Sequence, residues 1–175
     1  MDALDLLRDA FGRVDDYFGM VADGLDADTL NHRPGGTGNS VAWLLWHLTR
    51  VQDDHVADLA AARGDGDPRQ GQAWATWRDR FALPLEDWET GYGHSGEQVA
   101  SVRIDDPDLL TGYHADVQRM SLDHLDSLDA EALDQVVDRR WDPPVTAGVR
   151  LVSVVGDCLA HLGQADYVKG LAPGR

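Results

Sequence analysis

Two side chains that can bind a metal ion lie four residues apart in the C-terminal part of the chain. They are Asp157 and His161, in the segment Asp157-Cys158-Leu159-Ala160-His161. On an α-helix, residues at this separation lie on one face about a turn apart, so both side chains could bind a single ion. A histidine beside a buried stripe also pairs simply with a neighbouring carboxylate, and aspartate is common in this chain. The spacing therefore leaves a metal site and a plain hydrogen bond both open.

A third candidate ligand, His47, lies on the flank of a second apolar periodic segment. It is beside Trp43 and about 60° from the stripe that contains Leu44 and Leu48. Asp54 follows seven residues later and falls almost directly above His47 on the helical wheel. The residues alone leave two interpretations of His47 open, a metal ligand and a hydrogen-bonded core histidine.

The remaining histidines and glycine-rich segments give no comparable cluster. His32 and His94 are expected in loops, whereas His114 and His124 lie ten positions apart on a helix and off a common face. The glycine-rich segment 91–96 follows no predicted strand, so a phosphate-binding loop is not supported there.

Four segments with helical periodicity must position these side chains. They run from about Ala3 to Asp23, from an N-cap at Asn39 or Ser40 to about Arg63, from near Ser95 (with an interruption at Pro107) to about Leu128, and from about Val149 to Gly170. The length and apolar content suit one domain over residues 1–175 with a real core. The predicted fold class is all-α, a four-helix bundle.

The stretch from Gly64 to His94 has no sustained period but is rich in aromatic residues. These are Trp74, Trp77, Phe81, Trp88 and Tyr92. So much aromatic surface predicts an ordered crossover packed on the helices. A long crossover between helices two and three lets those helices run parallel.

Three segments of the chain resemble the DinB/YfiT-like superfamily. They are Asn39–Leu48 (NSVAWLLWHL), Thr90–Ser95 (TGYGHS) and His161–Gly170 (HLGQADYVKG), and they follow one another in the family's order. The likeness is greatest to the actinobacterial branch with mycothiol-dependent S-transferases and the N-terminal domain of mycothiol-dependent maleylpyruvate isomerase. The resemblance implies a four-helix bundle in up-down-down-up order, and it makes a homodimer an expectation.

The same resemblance implies a divalent metal centre, with zinc expected first and nickel as the alternative. His47 falls on the helix-two ligand and His161 on the last ligand of the family. Asp157 takes the position that is histidine in many members and glutamate in the isomerase branch. Because aspartate is one methylene shorter, its ligation requires a closer approach of the helix or a bridging water.

These ligands predict a thiol S-transferase, in which a mycothiol-type thiol is activated at the metal and attacks a small electrophile. Two imidazoles and one carboxylate leave zinc a net positive charge and an open position for the thiol. Trp43, Asp54 and Gln164 are the residues expected around the bound thiol. Two alternatives stay open, a non-enzymatic bundle that binds a metal or a small molecule, and a metal-dependent hydrolase.

Composition argues against two classes of partner, whereas the small-molecule substrate is what the resemblance implies. The net charge is −16, and the densest basic patch is Arg139–Arg140, so neither nucleic acid nor an anionic membrane surface is expected to bind. The chain contains no apolar run of membrane-spanning length. The acidic N-terminal residues and the single cysteine, Cys158, predict a cytoplasmic protein, and Cys158 itself is expected to be buried and inert.

Overall fold

The computed structural model describes residues 1–64 and 67–173. The described residues form eight α-helices and a two-stranded antiparallel sheet. The elements are α1 (Ala3–Ala22), α2 (Ala27–Asn31), α3 (Val41–Ala61), α4 (Pro68–Gly71), α5 (Trp74–Phe81), α6 (Gly96–Ser101), α7 (Pro107–Asp126), β1 (Val136–Asp138), β2 (Val145–Thr146) and α8 (Ala147–Leu171), with short 3-10 helices at Pro34–Gly36 and Ala130–Asp134. Within these ranges, no helix combines the length and the apolarity needed to cross a bilayer.

The four long helices enclose the core. Helices α1 and α3 each pack against both α7 and α8. The start of α3 is set locally, because the Ser40 hydroxyl accepts a hydrogen bond from the Trp43 N–H at 3.1 Å, which confirms one of the two N-caps predicted there. The order of helix directions stays a prediction of the resemblance.

Helix α3 is buried on nearly all sides, including polar positions that the apolar stripe did not indicate. Arg50 and Asp53 are both fully buried, with Arg50 Nη1 3.4 Å from Asp53 Oδ2. Asp53 also accepts hydrogen bonds from the backbone N–H groups of Ala73 and Trp74 and from the hydroxyl of Tyr113. The carboxylate of Asp53 therefore accepts hydrogen bonds from the N–H groups at the start of α5. The N-cap residue of α5, Ala73, has no side chain that could do so.

The crossover between α3 and α7 differs from the sequence prediction in being partly helical. It contains α4 and α5, each too short to show a sustained period. Helix α5 packs on α7 at Gly112, where a β-carbon would collide with the Trp77 ring. Trp88 and Tyr92 were expected to be packed, but both are largely exposed, since neither lies in a helix that could dock it.

One further prediction about secondary structure is confirmed and one was wrong. The interruption predicted near Pro107 is present, because residues 102–106 divide the third helical region into two separate helices, α6 and α7. The connection around Trp141 joins β1 to β2, so the chain contains a small sheet that an all-α class does not include. Strands of three and two residues are too short to show, in the sequence, the alternation of apolar and polar residues that predicts a strand.

The single lysine of the chain joins α8 to α1. Lys169 Nζ donates to the backbone oxygens of Val21 at 2.9 Å and Asp23 at 2.8 Å. Those oxygens belong to the end of α1, where carbonyl groups lack partners within the helix. The ammonium group therefore caps a neighbouring helix and fixes its end against α8.

Candidate metal centre

The three candidate ligands come together where α3 packs against α8. His47 lies on α3, and Asp157 and His161 lie one turn apart on α8. One ligand atom from each of the three side chains lies within 4.8 Å of the others. The two imidazole rings have centroids 4.6 Å apart and are nearly perpendicular. The separation of ligand atoms is suited to one small cation between them.

His47 is held in one orientation by the turn that precedes α6. Its Nδ1 lies 2.5 Å from the carbonyl oxygen of Thr90, to which it donates, so Nε2 is the nitrogen available for a ligand. Trp43 stacks on a face of the imidazole ring, with ring centroids 4.6 Å apart. Burial lowers the pKa of His47, against the raising effect of the Thr90 hydrogen bond, and so favours the neutral imidazole that binds metals.

Gly91 is required for this contact. Its φ is +97°, and a β-carbon there would lie 2.6 Å from His47 Nδ1 and 3.1 Å from ring carbons of Trp43 and of Trp46. Only a residue without a side chain lets the backbone approach the imidazole this closely.

His161 and Asp157 face each other across the site. His161 Nε2 lies 3.6 Å from Asp157 Oδ1, and His161 Nδ1 lies 3.3 Å from Gln164 Oε1. The Asp157 carboxylate beside the ring raises the pKa of His161. Burial acts to raise the pKa of Asp157, but the neighbouring His161 and His47 lower it overall, so the carboxylate is ionised at neutral pH.

One carboxylate oxygen of the site lacks a hydrogen-bond donor among the described residues. Asp157 Oδ2 is buried and has no hydrogen-bond partner within the described ranges. A buried carboxylate oxygen without a partner is costly unless a proton, a water molecule or a cation occupies the space beside it. With two imidazoles adjacent, the donor set of nitrogen, nitrogen and oxygen fits a divalent ion such as zinc.

A cleft of about 490 Å³ opens onto this centre. Its lining comes from α3, α8, the turn before α6 and the β1–β2 connection: His47, Val51, Asp54, His55, Thr90, Tyr92, Asp138, Arg140, Trp141, Arg150, Ser153, Val154 and Asp157. We call it the α3–α8 cleft. It is large enough for a small organic molecule.

The three residues expected around a bound thiol lie in three different surroundings. Asp54 lines the α3–α8 cleft, and Gln164 contacts His161. Trp43 is only 5% exposed and lies behind His47, where its indole N–H donates to His94 at 3.3 Å. Trp43 therefore packs against the His47 imidazole and supports it.

A second group with metal-binding atoms lies beside the cleft. Asp54, His55 and Asp58 bring one ligand atom each within 4.8 Å of the others. Asp54 already accepts a hydrogen bond from Gln72 at 2.8 Å, and the positive charge of Arg150 acts on His55. This group lacks a buried unpartnered oxygen like that of Asp157, so the first centre is the stronger candidate.

Sequence reasoning missed three contributors to the site. The Thr90 carbonyl that orients His47 is a backbone group and leaves no signal in the side-chain pattern, although Gly91 beside it was part of a noted glycine-rich segment. Arg140 and Arg150 also line the cleft. The Arg139–Arg140 pair was visible as the densest basic patch, but nothing in the sequence placed it near His47.

The two histidines of the metal-free site are expected to titrate on opposite sides of 6.5, the ordinary histidine pKa. Burial lowers the pKa of His47, and Asp157 raises that of His161. Histidine ring resonances followed by NMR from about pH 5 to 8 would measure both values. Asp157→Asn should bring the pKa of His161 down, whereas equal midpoints for the two rings in the wild type would contradict the arrangement.

The fold and the site define a mostly helical protein with a candidate metal centre between two of its long helices. The sequence model of the DinB superfamily matches residues 10–165. This chain belongs to the DinB superfamily, whose members often bind a divalent metal.

A solved structure is similar to this chain over its whole length. It is described as a conserved protein from Enterococcus faecalis and is 31% identical, with a TM-score of 0.85. The match covers 100% of this chain and 99% of that chain. Comparison with curated proteins gives no significant match.

Proposed function

We propose that this protein is a metal-dependent S-transferase of the actinobacterial mycothiol branch, joining a mycothiol-type thiol to a small electrophile in the cytoplasm. The observation that carries the proposal is the unpartnered Asp157 Oδ2, buried beside two imidazoles, with His47 and Asp157 lining an open cleft. His47, Asp157 and His161 would hold the ion. A bound zinc or nickel ion lowers the pKa of a thiol that it coordinates, so that the thiolate forms near neutral pH.

The chain's own residues prepare the site for that chemistry. The Thr90 carbonyl fixes the tautomer of His47, and Gln164 orients His161. Both contacts leave the nitrogens that face Asp157 free of other hydrogen bonds. The cleft then provides room beside the ligands for a thiol and an electrophile, with Asp54 and Tyr92 on its walls.

The thiol must come from a second molecule. Cys158 is fully buried, and burial raises the pKa of its thiol, so the single cysteine cannot act as the nucleophile. Its Sγ lies 3.7 Å from the Leu48 carbonyl oxygen inside the core.

The test is to combine metal analysis with a conjugation assay that uses mycothiol and 1-chloro-2,4-dinitrobenzene. His161→Ala should lower zinc affinity and conjugation by about 100-fold or more, because even partners of metal ligands cost 10- to 100-fold when removed. His32→Ala, a histidine outside the site, is the matched control. Retention of both metal and conjugation by His161→Ala would refute the proposal, and metal without conjugation in the wild type would favour a hydrolase or a binding protein.

A further inference from the structure

Two guanidinium groups lie on one wall of the α3–α8 cleft. Arg150 is in the first turns of α8, and Arg140 follows β1. Both line the same cleft as the candidate ligands His47 and Asp157. The chain has 31 acidic and 15 basic residues, so two arginines at one cleft run against its overall charge.

The two arginines share a single carboxylate. Asp138 Oδ2 lies 2.8 Å from Arg140 Nη2 and 3.2 Å from Arg150 Nη2. Over residues 1–64 and 67–173, no other carboxylate comes within ion-pair distance of either guanidinium. Hydrogen bonds from Arg140 lower the pKa of Asp138, which stays ionised. Among the described residues, Asp138 is thus the one direct ion-pair partner of two arginines, so one guanidinium charge of the pair is left to bind another anionic group.

The facing wall of the cleft is negatively charged. It belongs to α3 and carries Asp54, with Asp58 one turn further along the helix. His55, between them, adds no positive charge, because burial and then Arg150 lower its pKa. An anionic group that enters the cleft is therefore directed away from α3 and towards the arginines.

Arg150 and the candidate metal ligand Asp157 lie on the same helix, separated along its axis. Arg150 precedes Asp157 by seven residues on α8, which is about 10 Å along the helix axis. Trp141, 66% exposed, lies beside them and offers a planar apolar surface. A small molecule could reach from the candidate ligands to the arginines.

We propose that Arg140 and Arg150 bind a carboxylate on the substrate, in the same α3–α8 cleft that the candidate metal ligands His47 and Asp157 line. This inference rests on the proposed function, and it names the substrate class as a carboxylate-bearing reactant. Guanidinium groups bind carboxylates through paired, charge-assisted hydrogen bonds that position as well as attract. In the transfer step, the thiol proton goes to solvent, the sulfur–carbon bond forms, and the leaving group departs with its electron pair.

The first arm of the test compares two electrophiles with the same leaving group, one a carboxylate and the other its neutral methyl ester. Mycothiol is the thiol, and 4-(bromomethyl)benzoate and its methyl ester are the electrophiles, both losing bromide. We expect the zinc-loaded wild type to prefer the carboxylate by about 10- to 100-fold in kcat/KM. Arg150→Gln should bring that ratio close to the ratio of the uncatalysed rates of the two electrophiles with the same thiol. Arg119→Gln, an arginine on α7 paired with Asp116 away from the cleft, should keep the wild-type ratio.

A second arm decides which reactant carries the carboxylate. With the methyl ester as electrophile, mycothiol is replaced by 3-mercaptopropionate or by 2-mercaptoethanol. A preference for 3-mercaptopropionate that Arg150→Gln abolishes assigns the carboxylate to the thiol. A preference confined to the first arm assigns it to the electrophile. The absence of an Arg150-dependent preference in both arms overturns the inference.

The third arm separates this inference from the proposed function, because it needs neither metal nor turnover. The metal-free protein is titrated by NMR with 4-methylbenzoate and with 4-methylbenzamide. Binding of the carboxylate alone, lost in Arg150→Gln and kept in Arg119→Gln, supports the arginine site even if no thiol is ever transferred. Thiol transfer without any selectivity for carboxylates would leave the proposed function standing and refute this site.

Discussion

Asp53→Asn is expected to lower the free energy of unfolding by about 3 kcal/mol or more, because it breaks a buried ion pair. Asp53 and Arg50 are both 0% exposed, so the guanidinium would lose its counter-charge where water cannot replace it. Burial raises the pKa of Asp53, while Arg50, Tyr113 and two backbone N–H groups act to lower it. The ionised carboxylate is thus maintained by its donors against a large desolvation cost.

Asparagine has nearly the same shape as aspartate but offers one acceptor oxygen and adds two donor hydrogens. One of the N–H groups at the start of α5, on Ala73 or Trp74, would then face a donor or lose its acceptor. Urea denaturation of the metal-free protein gives the free energy directly. Asp58→Asn, the same substitution at an exposed position of the same helix, should change it by about 0.5 kcal/mol or less. A loss below about 1 kcal/mol in Asp53→Asn would mean that the network does not hold α5 in place.

Gly91→Ala is expected to weaken zinc binding by about 10- to 100-fold, the range seen when the orientation of a metal-bound histidine is disturbed. The new β-carbon would have to enter the space between the turn and the rings of His47, Trp43 and Trp46. Either the imidazole moves or the Thr90 carbonyl retreats. In both cases His47 loses the contact that fixes its tautomer.

Gly93→Ala is the matched control for that substitution. Gly93 also has a positive φ, +73°, but a β-carbon there would meet no atom within 4 Å. Both variants therefore carry the backbone strain of a left-handed alanine, about 1–2 kcal/mol, and only Gly91→Ala adds the collision. Zinc affinity is measured by competition with a chelator, beside the unfolding free energy of each metal-free variant. Equal zinc affinities for the two variants would show that Gly91 does not position His47.

The parts of this fold that could be predicted are those in which neighbours in sequence are neighbours in space. The N-cap at Ser40 and the shared face of Asp157 and His161 depend on residues within one turn of each other. The apolar steps of α1 predict a helix in the same way. The direction of each helix, which no local pattern fixes, is still implied only by the family resemblance.

The parts that could not be predicted depend on contacts between distant segments. Helix α5 is held at its start by Asp53, which is twenty residues away, and is only eight residues long. Burial of Arg50 reverses the expectation for a charged side chain, because its partners come from three different segments. Arg150 likewise shares a cleft with the candidate metal ligands because α8 packs against α3. A helical wheel describes one helix at a time and cannot predict that packing.

The capping of α1 by Lys169 gives the chain an unusual chemical property. Apart from the amino terminus, the chain has one primary amine, and that amine is engaged by the carbonyl oxygens at the end of α1. Acylation of the amine would remove its positive charge and two of its donor hydrogens, so the reaction competes directly with the capping of α1. The rate at which an amine-reactive reagent modifies this single side chain thus reports how often the amine leaves the end of α1.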